Sequence, residues 1–131
     1  MTAAPDSLSL ELAVPSTGRQ DDSVRFTLRI KNQRNEPLDL YLRGRESTLD
    51  VIVAQPGGAV VWHRMEGEII PAIVHVRTLA AQELLEITAS WNLRTKQGTP
   101  VAPGEYTARG LLLAEGSPLE APAVTFRVAE R

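Results

Sequence analysis

"SVRFTLRIKN", residues 23–32, decides the fold. Val24, Phe26, Leu28 and Ile30 point one way, while Arg25, Thr27, Arg29 and Lys31 point the other. A period of two is the signature of a strand with one dry and one wet face, and clean alternation favours antiparallel sheets. The same pattern spreads outward in both directions. "SLSLELAV" places Leu8, Leu10, Leu12 and Val14 together, "LDLYLR" places Leu38, Leu40 and Leu42, and "LDVIVAQ" places Leu49, Val51 and Val53. "EYTARGLLL" and "PAVTFRVAE" add Tyr106, Ala108, Leu112, Val124, Phe126 and Val128.

Turn chemistry separates these runs. "STGRQDD" lies between the first two strands, "QRNEP" between the next two, and "QPGG" joins residues 49–54 to 59–63. "TKQGTPVAPG" precedes the strand at Tyr106, and "AEGSPLEAP" precedes the last strand. Glycine supplies positive φ, and proline fixes φ and removes a ladder donor. Short alternating strands at this spacing predict an all-β, immunoglobulin-like antiparallel sandwich, with residues 1–131 as one domain. "TLAAQELLEITASW", residues 78–91, has helix-forming composition, yet Leu85, Ile87, Ala89 and Trp91 also alternate. Flanking strands override local propensity, so the reading is a turn near Ala80 to Glu83 and then a strand. In "PGEYTARG", Tyr106 follows a Pro-Gly turn at the start of a late strand, which suits a tyrosine corner.

Composition narrows the function. The 131 residues contain no cysteine, which removes disulfides, a thiol nucleophile and thiolate metal sites. A net charge of −2 does not suit tracking a phosphate backbone, so nucleic acid is not expected as a partner. No apolar run approaches the roughly 18 residues that span a membrane, and the start lacks a basic, then apolar, leader. The expected location is cytoplasmic; Met1 placed on a mature exported domain is the alternative.

Chemistry-bearing constellations are weak. The serines at 7, 9, 16, 23, 47, 90 and 117 include no Gly-x-Ser-x-Gly elbow, and His63 and His75 are the two histidines. His63 and His75, with Glu66 and Glu68 between them, would hold zinc or copper only if the strands paired to suit. No compact metal motif accompanies them, so neither a metal nor a cofactor is expected, nor an enzyme. "QPGGAV" lacks a following lysine and helix and reads as a hairpin turn rather than a phosphate cradle. In "AVVWHRMEGEIIP", residues 59–71, Val60 and Trp62 are expected to face the core, with Val61 and His63 opposite. Trp62 and Trp91 then act as core anchors, and "RMEGEIIP" is the loop that follows.

The order "IKNQRNEPLDLYL", "LDVIVAQPGGAVVWHRMEG", "LAAQELLEITASWNL" and "GTPVAPGEYTARGLLL" resembles the BsuPI-type intracellular proteinase inhibitor domain. The matching positions are Asn32 and Pro37, Leu49-Asp50-Val51, Gly58, Val61-Trp62, Glu83, Trp91, and Pro103-Gly104 with Tyr106. Departures are Leu49 and Val51 in place of aromatics, Arg64 in place of a second tryptophan, and Ala81-Gln82 in place of Pro-Gly. The resemblance implies a binding protein whose partner is a subtilisin-like serine protease; a monomer is expected. A protease cleft takes extended backbone as an added strand, with one side chain in its specificity pocket. Met65 is the expected pocket residue, flanked by Arg64, Glu66 and Gly67. The rival loop is "RTKQGTPVAP", where Lys96 suits a trypsin-like pocket. A second class of function is a non-inhibitory immunoglobulin-like interaction module, since such sandwiches host many roles.

Overall fold

A computed structural model describes residues 8–19 and 22–130. The chain start read above, residues 20 and 21 of the "STGRQDD" turn, and the last residue lie outside the described residues. Eleven strands form among the described residues, and no helix. No helix long and apolar enough to cross a membrane is present among them.

The first sheet has the order β1 (Leu8–Ala13), β3 (Val24–Asn32), β8 (Leu84–Trp91), all antiparallel. The second runs β2 (Thr17–Arg19), β11 (Val124–Ala129), β9 (Gly104–Leu112), β5 (Leu49–Ala54), β6 (Val60–His63). β2 joins β11 in parallel, and the short β10 (Leu119–Glu120) pairs with β9. β4 (Leu38–Arg43) and β7 (Val74–Leu79) form a separate two-stranded ribbon. This is the immunoglobulin-like sandwich that the alternation predicts.

The inward faces are those read from the pattern. Leu12, Val24, Phe26, Leu28, Ile30 and Trp91 meet Val51, Val53, Tyr106, Ala108, Phe126 and Val128 in one buried cluster. The approach is close enough that Leu12 Cδ1 lies 2.8 Å from where a Cβ on Gly110 would sit. A larger residue there forces the sheets apart. Trp62 stacks on Trp91 at 5.2 Å and on Phe26 at 6.2 Å, and Phe126 meets Phe26 and Trp91 edge-on.

Three readings are corrected. Thr17–Arg19 of the first turn is a strand, because its backbone finds β11 as a parallel partner. Part of "AEGSPLEAP" is likewise strand, as β10. Val60 faces solvent, at 56% exposure, rather than the core. The cause is a bulge: Val53 faces Trp62 and Ala54 faces Val60, so Val61 is the extra residue. A bulge leaves two residues opposite one and breaks the alternation. Trp62 keeps its inward face, and Val61, expected opposite, is half-buried and packs against the core too.

Asn32 ends β3 and is fully buried. Its amide donates to the carbonyls of Glu36, Leu79 and Ala80, at 2.9, 3.1 and 3.0 Å. Its carbonyl oxygen accepts from Arg34 N–H at 2.9 Å. Here β3 hands over to β4 and β7 to β8, so the ladder is interrupted on both chains at once. A buried side-chain amide fills the gap, since orphaned backbone groups are costly. The turn at Ala80 to Glu83 closes with Glu83 N–H on the Ala80 carbonyl, and Gln82 takes a positive φ of 63°.

The Tyr106 hydroxyl donates to the Ala102 carbonyl at 2.6 Å, the tyrosine corner expected from the Pro-Gly turn. Tyr106→Phe is expected to lower unfolding free energy by about 1 kcal/mol, read by urea denaturation. Burial pushes the phenol above its ordinary value of 10.0. The corner's contribution is therefore fully present below the ordinary tyrosine range and is lost as pH rises through the raised value.

Candidate functional site

The loop after β6 is pinned from below by Asp50. In "LDVIVA" the dry face is Leu49, Val51 and Val53, so Asp50 points to the other face, yet it is 7% exposed. A buried carboxylate must find donors. Asp50 Oδ2 lies 2.7 Å from His63 Nε2, and Oδ1 accepts the Met65 backbone N–H at 3.1 Å. An ionised Asp50 places the imidazole proton on Nε2. Above it, the Arg64 N–H continues the ladder onto the Val51 carbonyl at 2.9 Å, and its guanidinium donates to the Leu49 carbonyl at 2.6 Å. Residues 64–67 then form a turn, closed by Glu66 N–H on the His63 carbonyl and Glu68 N–H on the Met65 carbonyl.

The four residues singled out in sequence thus share one turn but differ in presentation. Arg64, Glu66 and Gly67 are exposed. Met65 is half-buried, with its sulfur 3.2 Å from the Arg64 guanidinium, so its side chain is not the one held out. The reason is the Asp50 bond to the Met65 backbone, which draws that residue towards β5. Beyond the turn, residues 68–73 follow no regular structure and carry Ile69 at 94% exposure.

The rival loop is its neighbour. Lys96 donates to Glu66 at 2.6 Å, and the two loops flank a groove of 490 Å³ lined by Trp62, His63, Arg64, Glu66, Arg94 and Lys96, among others. The Lys96 ammonium holds the Glu66 carboxyl below its usual range. The Trp91 indole N–H donates to the Arg94 carbonyl at 2.8 Å, which ties the second loop to the core. Competing readings of two separate loops therefore converge on one end of the sandwich.

The histidines do not come together. His63 lies in β6 on Asp50, while His75 lies in β7 with Nδ1 2.7 Å from the Gly44 carbonyl. No group of three metal-ligating side chains occurs among the described residues. Asp50 went unrecognised as the loop's anchor in sequence; an acidic residue in an otherwise apolar strand was the available signal.

Comparison with known proteins adds the family. Fold relatives include an alkylpurine DNA glycosylase from Pseudomonas fluorescens, at TM-score 0.53 and 14% identity, over 94% of this chain and 30% of that one. A CARDB domain from Pyrococcus furiosus matches at TM-score 0.51 and 14% identity, over 95% of this chain and 94% of that one. A β-glucosidase from Listeria innocua matches at TM-score 0.52 and 13% identity, over 95% of this chain and 16% of that one. These likenesses concern the sandwich fold alone. Among curated proteins no match is found. A model of the BsuPI family, described as intracellular proteinase inhibitor, matches residues 10–117. The chain belongs to the BsuPI family of intracellular proteinase inhibitors.

Proposed function

We propose that the protein inhibits a subtilisin-like serine protease, one copy per enzyme, through the loop that carries Arg64, Met65, Glu66 and Gly67. Family membership supports a proteinase as the partner; the subtilisin-like class belongs to the proposal. The observation that carries the choice of loop is the pair of hydrogen bonds that buried Asp50 makes with His63 and the Met65 backbone N–H. Association costs ordering free energy, and a loop already held in shape loses less on binding. Arg64, Glu66 and Gly67 lie on the exposed side of that support. The bond of Lys96 to Glu66 supports a part for the second loop at the edge of the same contact.

The test is a titration of active-site-quantified subtilisin, with trypsin alongside, following residual activity. Saturable loss of subtilisin activity supports the reading. Stronger inhibition of trypsin moves the contact to Lys96. Asp50→Ala is expected to weaken inhibition about tenfold or more, since a hydrogen-bonded carboxylate that orders the loop is worth about 1.5–3 kcal/mol.

A second reading, a non-inhibitory interaction module, is favoured by one feature. The outer face of the β4–β7 ribbon pairs Tyr41 with Val76, and both are more than half exposed. An exposed apolar face of this kind suits a protein partner.

A further inference from the structure

We propose that Ile69 is the side chain that fills the protease's primary specificity pocket, and that the partner is a protease with an apolar pocket. The inference rests on the protease-binding reading and names the residue that decides its specificity.

The geometry around Ile69 is that of a presented chain. The turn at Arg64–Gly67 holds the near end, through Asp50. The far end is held where Gly44 N–H donates to the Ile73 carbonyl at 2.9 Å and the Gly44 carbonyl lies 2.7 Å from His75 Nδ1. Between them Ile70 lies over Gly44: its Cγ2 is 3.3 Å from where a Cβ on that residue would sit. Gly44 itself has a φ of +88°, which glycine adopts without strain. Ile70 precedes Pro71, which biases it to extended backbone, where neighbouring side chains point to opposite sides. Ile70 tucked inward and half-buried therefore goes with Ile69 held outward, at 94% exposure.

The chemistry follows. A β-branched side chain is stiff at χ1, so little rotamer freedom is lost when it enters a pocket. It suits an apolar pocket and leaves the buried carboxylate of a trypsin-like pocket unpaired. Pro71, two residues on, has no N–H and cannot continue an added strand, which limits the pairing to the segment around Ile69. Met65 is half-buried and held towards Asp50, so it does not compete for this role.

The experiment compares inhibition of subtilisin by the unaltered protein, Ile69→Gly and Met65→Gly, with thermal unfolding of each as the folding control. Ile69→Gly is expected to raise the inhibition constant about 30-fold or more, the size of an interface hot spot, with an unchanged midpoint. Met65→Gly is expected to raise it several-fold less than Ile69→Gly does, since the half-buried Met65 side chain belongs to the supporting turn and not to the pocket contact. If Ile69→Gly inhibits as well as the unaltered protein, Ile69 is not the pocket residue, although the protease-binding reading stands. If the unaltered protein inhibits neither subtilisin nor an elastase-type enzyme, both fall together.

Discussion

Asn32→Leu is expected to lower the unfolding free energy by about 4 kcal/mol. The substitution keeps the branching pattern but enlarges the side chain, and it removes every polar bond of a fully buried group. The carbonyls of Glu36, Leu79 and Ala80 lose their shared donor, and Arg34 N–H loses its acceptor. Each buried polar group left without a partner costs about 1–3 kcal/mol, and a leucine offers nothing in return. Water reaching the Glu36 and Ala80 carbonyls, which are less enclosed, keeps the sum below the simple total. Asn32→Asp is expected to be no better near neutral pH, because a carboxylate would face three carbonyl oxygens. Urea denaturation of both variants checks this; a loss of less than about 1 kcal/mol would mean that the junction's groups find other partners.

Trp91→Ala is expected to cost a similar amount, about 4 kcal/mol, from cavity formation in the aromatic core. Trp91 is 2% exposed, stacks on Trp62 with planes 13° apart, and donates its indole proton to Arg94. Trp62 is less enclosed, so Trp62→Ala is expected to cost less, about 2–3 kcal/mol. The pair shares one stack, so the double variant should fall short of additivity by about 1 kcal/mol. Strict additivity would contradict the stacked geometry. Trp91→Ala should also loosen the second loop, whose Arg94 carbonyl it holds.

The sandwich is legible because the sequences of β1, β3 and β11 alternate between a wet and a dry face, while β5 and β9 keep their apolar positions two apart although parts of their other face are buried too. What stayed hidden has specific causes. β7 escaped because "VHVRTL" exposes Val74 and Val76 on the outer face, so polarity does not mark solvent there. The phase of β6 was misjudged at Val60 because a bulge is a property of the strand pair, not of one strand. Asn32 and Tyr106 sat in recognisable positions, but the bonds of Asn32 run to residues 47 and 48 places away. The candidate loop is legible from the end of the apolar run at Trp62 together with the family resemblance. Its support is not, since Asp50 reaches it across strand pairing from thirteen residues upstream. A second bond from Asp50 holds the Met65 backbone, and exposure of Ile69 follows from Ile70 packing on Gly44 rather than from any local motif.

The claim that the pinned loop is the protease-binding surface is tested most directly by hydrogen exchange. The protein would be compared alone and with subtilisin whose catalytic serine is replaced by alanine, so that the cleft is open but cannot cut. Slowed exchange confined to amides of residues 64–70, with smaller effects at residues 94–98, is the predicted result. Protection of the β4–β7 ribbon around Tyr41 and Val76 instead, with residues 64–70 unchanged, would contradict it.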